Sequence, residues 1–189
     1  INSTPENTNT KFYDYIENLE NKFKNIIKKE ERWSELTISK ICLSSMDNNG
    51  NLVIGNSMPI RYIDMIGSLN SNINTYANRG ASGIDGIIST ALGISKYSKG
   101  HNMLLIGDLS FLHDQNSLLI TQQYDINLTI VIINNNGGGI FSLLPISEAI
   151  NQKIFNEYWT TPQNIDFKKI ALVYNIQYSK VNTNQKLQS

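Results

Sequence analysis

The chain has 189 residues, of which 40% are hydrophobic and 17% charged, which is the composition of an ordinary globular domain with a substantial core. Its 16 basic and 16 acidic side chains balance, so the charge favours neither nucleic acid nor an acidic membrane as a partner. The single cysteine, Cys42, excludes an intrachain disulfide framework and fits a reducing compartment. Because its neighbours are apolar, we expect Cys42 to be a buried structural thiol.

The amino-terminal part predicts a linker followed by helices. Residues 1–10 are polar and typical of a flexible linker, whereas apolar side chains recur at helical spacing from Phe12 to Lys29. Ser34-Glu35 indicates the start of another helix. Since the chain begins with Ile1 rather than methionine and ends at Ser189 without a natural tail, we expect it to belong to a longer polypeptide.

Strands and helices are then predicted to alternate. The predicted strands are residues 51–56, 73–77, 103–106, 128–133 and 176–181, and the predicted helices are residues 59–69, 84–97, 111–123 and 166–174. Continuous apolar strands between helices are typical of an α/β fold with a parallel sheet covered by helices on both faces, a Rossmann-like three-layer arrangement. Ligands of such sheets bind at the carboxyl ends of the strands.

Asp108 and Asn135 each follow a predicted strand and lie 27 positions apart (135 − 108), which is the length of one strand–helix–strand crossover. Ser57 and Asn78 follow the other two predicted strands of this region. A carboxylate, an amide and a glycine-rich backbone at one sheet edge are the oxygen ligands that Mg²⁺ accepts beside substrate phosphates. The pattern therefore predicts a site for a magnesium-bound diphosphate.

Other motifs narrow the choice of function. The glycines of residues 78–86 do not have the G-x-G-x-x-G spacing of a dinucleotide site, and no P-loop motif occurs. The alternative interpretation of this segment is a purely structural glycine-rich turn. Arg61 and Arg79 stand beside strand ends and suggest carboxylate recognition, with surface or ion-pair roles as the alternative. His101 and His113 lack metal-ligand spacing.

Four runs together resemble the thiamin-diphosphate-dependent enzymes, and within them the MenD family of 2-succinyl-5-enolpyruvyl-6-hydroxy-3-cyclohexene-1-carboxylate synthases. They are GNSMPIR (residues 55–61), NRGASGIDG (78–86), IGDLSFLHDQN (106–116) and NNNGGGIFSLLP (134–145). The resemblance extends over about residues 34–181. Leu109 replaces the second glycine of the usual G-D-G motif. Because leucine is common at this position in the MenD family, the replacement favours this family over other thiamin-diphosphate-dependent enzymes.

The resemblance implies a role for each matching residue. Mg²⁺ or Mn²⁺ would be held by Asp108, Asn135 and the carbonyl of Gly137, and the cofactor diphosphate would lie beside Gly107, Leu109 and Ser110. Ile84 would wedge thiamin diphosphate into its bent conformation. Substrate carboxylates would meet Ser57, Arg61 and Arg79, with Phe141 and Leu144 as the apolar wall.

The implied reaction decarboxylates 2-oxoglutarate and adds the resulting carbanion to isochorismate, in menaquinone or phylloquinone biosynthesis. The alternatives are another decarboxylase or carboligase of this cofactor class, such as an acetolactate synthase-like enzyme, or a non-catalytic remnant. We expect a transferase of the bacterial cytoplasm or the plastid stroma.

By the same resemblance, residues 1–33 are a linker and interdomain helix, and residues 34–189 are the domain that binds thiamin diphosphate and the metal. The family's activating glutamate belongs to an amino-terminal domain, usually of a second subunit, and this chain contains neither that domain nor the central one. We therefore expect a homodimer or homotetramer as the complete enzyme and an inactive isolated chain.

Overall fold

A computed structural model describes residues 10–67 and 72–188. The chain divides into two compact units, Ile1–Arg32 and Trp33–Ser189. The first unit contains α1 (Thr10–Lys29), whose last turn carries Lys28 and Lys29, where positive charge complements the helix dipole. All of the predicted linker except Thr10 lies outside the described residues. None of the described helices is long and apolar enough to cross a membrane.

The second unit alternates helices and strands. In chain order its regular elements are α2 (Glu35–Ser44), β1 (Asn51–Ile54), α3 (Met58–Ile66), β2 (Asn74–Tyr76), α4 (Ile87–Tyr97), β3 (Asn102–Gly107), α5 (Asp108–Asp114), β4 (Thr129–Ile133), α6 (Ile146–Ala149), α7 (Gln152–Phe155), α8 (Phe167–Val173) and α9 (Asn184–Gln188). Two 3₁₀ segments, Gln115–Gln122 and Gly139–Leu143, and one π-helical turn, Asn156–Thr160, complete it.

The strands form one parallel sheet in the order β2-β1-β3-β4. Residues 103–106 of β3 are all at most 5% exposed. Because successive side chains of a strand point to opposite faces, this burial means that both faces of the sheet are covered. The predicted α/β fold is confirmed.

The strand order creates a switch point between β1 and β3. From β1 the chain crosses to β2 on one side and then returns to β3 on the other side. At such a point the loops after the two adjacent strands diverge and leave a crevice at the carboxyl ends of the strands. β4 pairs with β3, with Leu105 opposite Val131, so the loop after β4 reaches the same crevice.

Two predicted helix starts and the buried cysteine are confirmed. Ser34 caps α2 by accepting a hydrogen bond from the Thr37 N–H, and Asp166 caps α8 through the Lys168 N–H. Cys42 is 2% exposed, and burial raises the pKa of its thiol to about 12.

Several predicted boundaries are wrong for identifiable reasons. The helix expected from Ile84 starts at Ile87, because Gly86 takes a left-handed conformation (φ 67°) before it. The helix expected over residues 59–69 ends at Ile66, where Gly67 (φ 69°) turns the chain away, and Leu69 lies outside the described residues. The helix expected over residues 111–123 starts at Asp108 and continues as a 3₁₀ segment from Gln115.

The predicted final strand, residues 176–181, is also wrong. Ile176 packs against the core, but residues 177–180 are exposed. Within the described ranges this segment pairs with no strand, and the sheet ends at β4. Side chains with high strand propensity form a strand only where a neighbouring strand offers hydrogen bonds.

Candidate functional site

A cleft opens at the carboxyl-terminal edge of the sheet, beside the switch point. Nine of the residues predicted for the site line it: Ser57, Ile84, Gly107, Asp108, Leu109, Ser110, Asn135, Gly137 and Phe141. Glu35, Met58, Pro59, Ile133, Gly138, Gly139 and Ile140 complete the wall. The remaining three predicted residues, Arg61, Arg79 and Leu144, do not line this cleft.

Asp108 lines the cleft, directly after β3, and is 4% exposed. Its Oδ1 accepts a hydrogen bond from the Leu109 N–H at 2.9 Å, and its Oδ2 accepts one from the Gly137 N–H at 2.8 Å. Burial raises the pKa of Asp108 above its ordinary value, although the two backbone bonds favour the charged form. The carboxylate is therefore fixed and desolvated, which favours a cation beside it.

The loop after β4 brings Gly137 to Asp108 through a backbone conformation that only glycine adopts readily (φ 134°). A Cβ atom at this position would also collide with the carbonyl oxygen of Thr160. The next residue, Gly138, donates its N–H to the same Thr160 carbonyl at 2.7 Å. The π-helical turn Asn156–Thr160 thus packs against the glycine run and fixes its backbone.

Ser57 occupies a strained position between β1 and α3, at φ 71° and ψ −128°. Such backbone angles cost a residue other than glycine about 1–3 kcal/mol and cluster at functional sites. Ser57 is the N-cap residue of α3, but its side chain makes no capping hydrogen bond. Its position on the cleft wall thus leaves the hydroxyl available to a ligand.

The two predicted arginines are exposed, and the turn after β1 holds both of them. Arg61 donates Nη1–H to the Ser57 carbonyl at 2.6 Å, and Arg79 donates Nη1–H to Asn56 Oδ1 at 2.9 Å. Asn56 is 1% exposed and also donates to the carbonyls of Asn78 and Gly83. Asn56 thereby joins the turn to the glycine-rich loop, a role that its sequence position did not indicate.

The other residues fall in less enclosed places. Ile84 lies in the turn before α4 and reaches the cleft wall. Phe141 and Leu144, at the end of the glycine-rich segment, are 37% and 46% exposed. Leu109 donates its N–H to Asp108, so its expected contact with a phosphate stays a prediction.

Glu35 is a cleft residue that the sequence analysis missed. Its Oε1 accepts a hydrogen bond from Asn135 Nδ2 at 2.9 Å. Tyr62, on α3, lies beside the same carboxylate, and its pKa is raised to about 12, first by burial and then by the charge of Glu35. The signal in the sequence was the Ser34 cap, which placed Glu35 at a helix start but gave no reason to link it with Asn135.

The donor atoms at the cleft fit a hard divalent cation. Asp108 offers a carboxylate, Asn135 a side-chain amide and Gly137 a backbone carbonyl, which are all oxygen donors. Among the described residues no group of three or more His, Cys, Asp or Glu side chains could hold a metal. A magnesium ion completed by diphosphate oxygens needs few protein ligands, and this site offers such a set.

Comparison with known proteins identifies the family of the chain. Residues 65–189 match the family model of the C-terminal TPP binding domain of thiamine pyrophosphate enzymes. Curated relatives named 2-succinyl-5-enolpyruvyl-6-hydroxy-3-cyclohexene-1-carboxylate synthase also match. The protein of Leuconostoc mesenteroides is 44% identical over 154 residues, which are 82% of this chain and 28% of the relative.

Two further relatives with the same name agree. The Synechocystis protein is 44% identical over 135 residues, covering 71% of this chain and 22% of the relative. The Staphylococcus haemolyticus protein is 41% identical over 167 residues, covering 87% and 29%. The chain thus spans between a fifth and a third of the length of these relatives.

Proposed function

The chain belongs to the thiamine pyrophosphate enzyme family through its C-terminal TPP binding domain, and from that premise we propose that it is the cofactor- and metal-binding part of a MenD-type synthase. The proposed complete enzyme decarboxylates 2-oxoglutarate and transfers the remaining four-carbon unit to isochorismate. The observation that carries this proposal is the bond between the Asp108 carboxylate and the Gly137 N–H, which joins the ends of two adjacent strands at one cation site.

In this proposal the residues of the chain bind and orient rather than react. Thiamin diphosphate, when bound, supplies a centre that stabilises negative charge at the decarboxylated carbon. Asp108, Asn135 and the Gly137 carbonyl would hold Mg²⁺, which neutralises the diphosphate. Ile84 would press on the cofactor from the cleft wall, and the apolar side chain of Phe141 would keep water from the reacting carbon.

The substrate assignment rests on positive charge near the cleft. Both proposed substrates carry carboxylates, and Arg61 and Arg79 are anchored on consecutive residues, Ser57 and Asn56. Anchored guanidinium groups recognise carboxylates with little loss of side-chain entropy. Pyruvate has a single carboxylate and makes less use of two arginines, which is the reason to prefer 2-oxoglutarate over an acetolactate synthase-like reaction.

The proposal requires a partner domain. The activating glutamate of this family would come from an amino-terminal domain, expected on a second subunit of a homo-oligomer in the bacterial cytoplasm or plastid stroma. The proposed role in menaquinone or phylloquinone biosynthesis rests on the carboxylate product that the names of these relatives state.

The test uses the complete polypeptide that contains this chain. We expect it to release CO₂ from 2-oxoglutarate when isochorismate, thiamin diphosphate and Mg²⁺ are present. The variant Asp108→Asn should weaken Mn²⁺ binding by about 100-fold or more. Loss of a residue that only orients a metal ligand costs about 10- to 100-fold, and Asp108 is proposed to be a ligand itself. It should lower the free energy of unfolding of the metal-free form by about 1–2 kcal/mol, because the amide keeps one acceptor and leaves one of the two backbone N–H groups unsatisfied, so the affinities are compared for the folded proteins.

Each alternative has its own outcome in this assay. Consumption of pyruvate in place of 2-oxoglutarate would favour an acetolactate synthase-like enzyme. Binding of neither metal nor cofactor by the wild type would favour a non-catalytic remnant. The matched control is Asp125→Asn, which removes an exposed carboxylate that does not line the cleft and should leave Mn²⁺ binding unchanged.

A further inference from the structure

The side chain of Asn135 has a defined orientation, although it is exposed. Its Nδ2 donates a hydrogen bond to Glu35 Oε1 at 2.9 Å, across 100 positions of sequence. An ionised carboxylate can only accept hydrogen bonds, so the nitrogen of the amide must face Glu35. The oxygen of the amide then points away from Glu35 and is left for another partner.

Glu35 itself is held in place from two sides. It is the first residue of α2, and that helix is capped by Ser34, whose Oγ accepts from the Thr37 N–H at 3.2 Å. Tyr62 on α3 lies beside the Glu35 carboxylate, in a pocket that both residues line together with Asn135. A half-buried carboxylate on a capped helix, packed beside Tyr62, has little freedom to leave Asn135.

Gly139 confines the amide further. A Cβ atom at Gly139 would lie 2.7 Å from Asn135 Nδ2 and 3.6 Å from its Cγ, and would meet no other atom within 4 Å. Glycine is therefore needed here to leave room for the Asn135 amide. The amide is bounded by the Glu35 carboxylate and by the backbone at Gly139.

We propose that Glu35 is a positioning residue that holds the Asn135 amide with its oxygen toward the divalent cation. This inference rests on the proposed function, in which Asn135 is a metal ligand. Without Glu35 the amide could rotate by half a turn and present its NH₂ group, which repels a cation. Outer-shell carboxylates that orient first-shell ligands commonly change metal affinity by about 10- to 100-fold when removed.

The test measures Mn²⁺ affinity in the complete polypeptide with thiamin diphosphate, from the electron paramagnetic resonance signal of free Mn²⁺. Glu35→Ala should weaken binding by about 10-fold or more. Glu35→Gln should stay within about threefold of wild type, because its carbonyl can accept the same hydrogen bond and a partly exposed charge contributes little. Asp64→Asn, which removes an exposed carboxylate from the helix that carries Tyr62, is the charge control and should not differ from wild type.

A second variant reaches the same amide from the other side. Gly139→Ala should displace Asn135 Nδ2, the end of a flexible side chain, so the unfolding midpoint of the metal-free form should stay within error of wild type. Its Mn²⁺ affinity should fall by several-fold, about the effect of a lost ligand-orienting contact. The double variant Glu35→Ala/Gly139→Ala should lose less than the product of the single effects, because both changes release one group.

The outcomes separate this inference from the proposed function. Absence of Mn²⁺ binding in the wild type would overturn both. If the wild type binds, then wild-type affinity in Glu35→Ala overturns the inference alone. The inference also fails if Glu35→Gln is as weak as Glu35→Ala, since charge rather than orientation would then be the cause, or if the two single effects multiply.

Discussion

The two edges of the parallel sheet carry similar polar side chains, and the structure uses them in opposite ways. At the amino-terminal edge, Asn51 and Asn102 are each 3% exposed and bond to one another at 2.9 Å. At the carboxyl-terminal edge, Asp108 and Asn135 line an open cleft. The same amide chemistry therefore joins strands at one edge and lines an open cleft at the other.

The amino-terminal network satisfies its own groups. Asn102 accepts from Asn51 Nδ2 and from the Ser98 hydroxyl, and donates to the Asn127 carbonyl at 3.0 Å. Asn74 on β2 donates in turn to Asn51 Oδ1. In this network the buried amides of Asn51 and Asn102 bond to one another and to their neighbours, which fixes the strand register. Polar residues at a sheet edge indicate function only where their partners are incomplete.

The largest expected effect comes from breaking the closed edge. Asn102→Ala leaves the buried Asn51 Nδ2 without its acceptor and removes the donor to the Asn127 carbonyl, whereas the Ser98 hydroxyl keeps the Ile94 carbonyl as a partner. We expect the free energy of unfolding, measured by urea denaturation, to fall by about 2 to 3 kcal/mol, since one buried unsatisfied group costs roughly 1–3 kcal/mol and the other lost hydrogen bonds add to it. The Mn²⁺ affinity of the folded fraction should not change.

The matched control is Asn182→Ala, an exposed asparagine near the carboxyl terminus, whose effect should stay within about 0.5 kcal/mol. If Asn102→Ala weakened metal binding as strongly as it lowers stability, the two edges would not be separable. The comparison between them would then be wrong.

Relaxing the open edge should give a smaller effect of the opposite sign. Ser57→Gly removes the strain at φ 71°, and we expect the metal-free form to gain about 1 kcal/mol, after subtracting the greater entropy of glycine in the unfolded chain. The KM for 2-oxoglutarate in the complete polypeptide should rise about fivefold, which corresponds to one lost hydrogen bond.

Ser82 supplies the control for this prediction. It also has a positive φ (57°), but it does not line the cleft. Ser82→Gly should therefore leave the KM unchanged while affecting stability in the same direction. A rise in KM for both variants would mean that backbone flexibility, and not the Ser57 hydroxyl, controls substrate binding.

Much of this fold could be predicted because buried parallel strands leave continuous apolar runs in the sequence. The run of residues 128–133 and the apolar residues 103–106 correspond to β4 and β3 within one or two residues. The exception was residues 176–181, where strand propensity was present but no strand was available to pair with. Propensity is a local property, whereas pairing depends on the whole sheet.

The candidate site was predictable where it depends on chain connectivity. Asp108 and Asn135 were expected at one edge from the length of a crossover, and both line the cleft. Glu35 was not predictable, because its contact with Asn135 spans 100 positions and arises from the packing of helices near the sheet. For the same reason the sequence could place Arg61 and Arg79 beside strand ends but could not show that the turn after β1 holds them.

The smallest expected effect concerns the charge at the open edge. Burial, and after it the Glu35 carboxylate, raise the pKa of Tyr62 to about 12. Glu35→Gln removes the charge but not the burial, so the pKa of Tyr62 should fall below that value yet stay above the ordinary one. The measurement is the phenolate absorbance as a function of pH, in each protein and in the same protein with Tyr62→Phe. The difference between the two titrations reports the pKa of Tyr62.

The sign of the stability effect follows from the same shift. Because the folded state favours the neutral phenol, the contribution of Tyr62 to stability is complete below the ordinary pKa of 10.0 and is lost as the pH rises through about 12. Wild type should therefore lose stability relative to Tyr62→Phe as the pH rises over that range. In Glu35→Gln the pH range of this loss should be narrower, because its upper limit, the pKa of Tyr62 in the folded state, is lower. An unchanged Tyr62 titration in Glu35→Gln would mean that this carboxylate does not act on α3. A shift would establish a negative charge at the carboxyl-terminal edge, which the neutral amides of the opposite edge cannot produce.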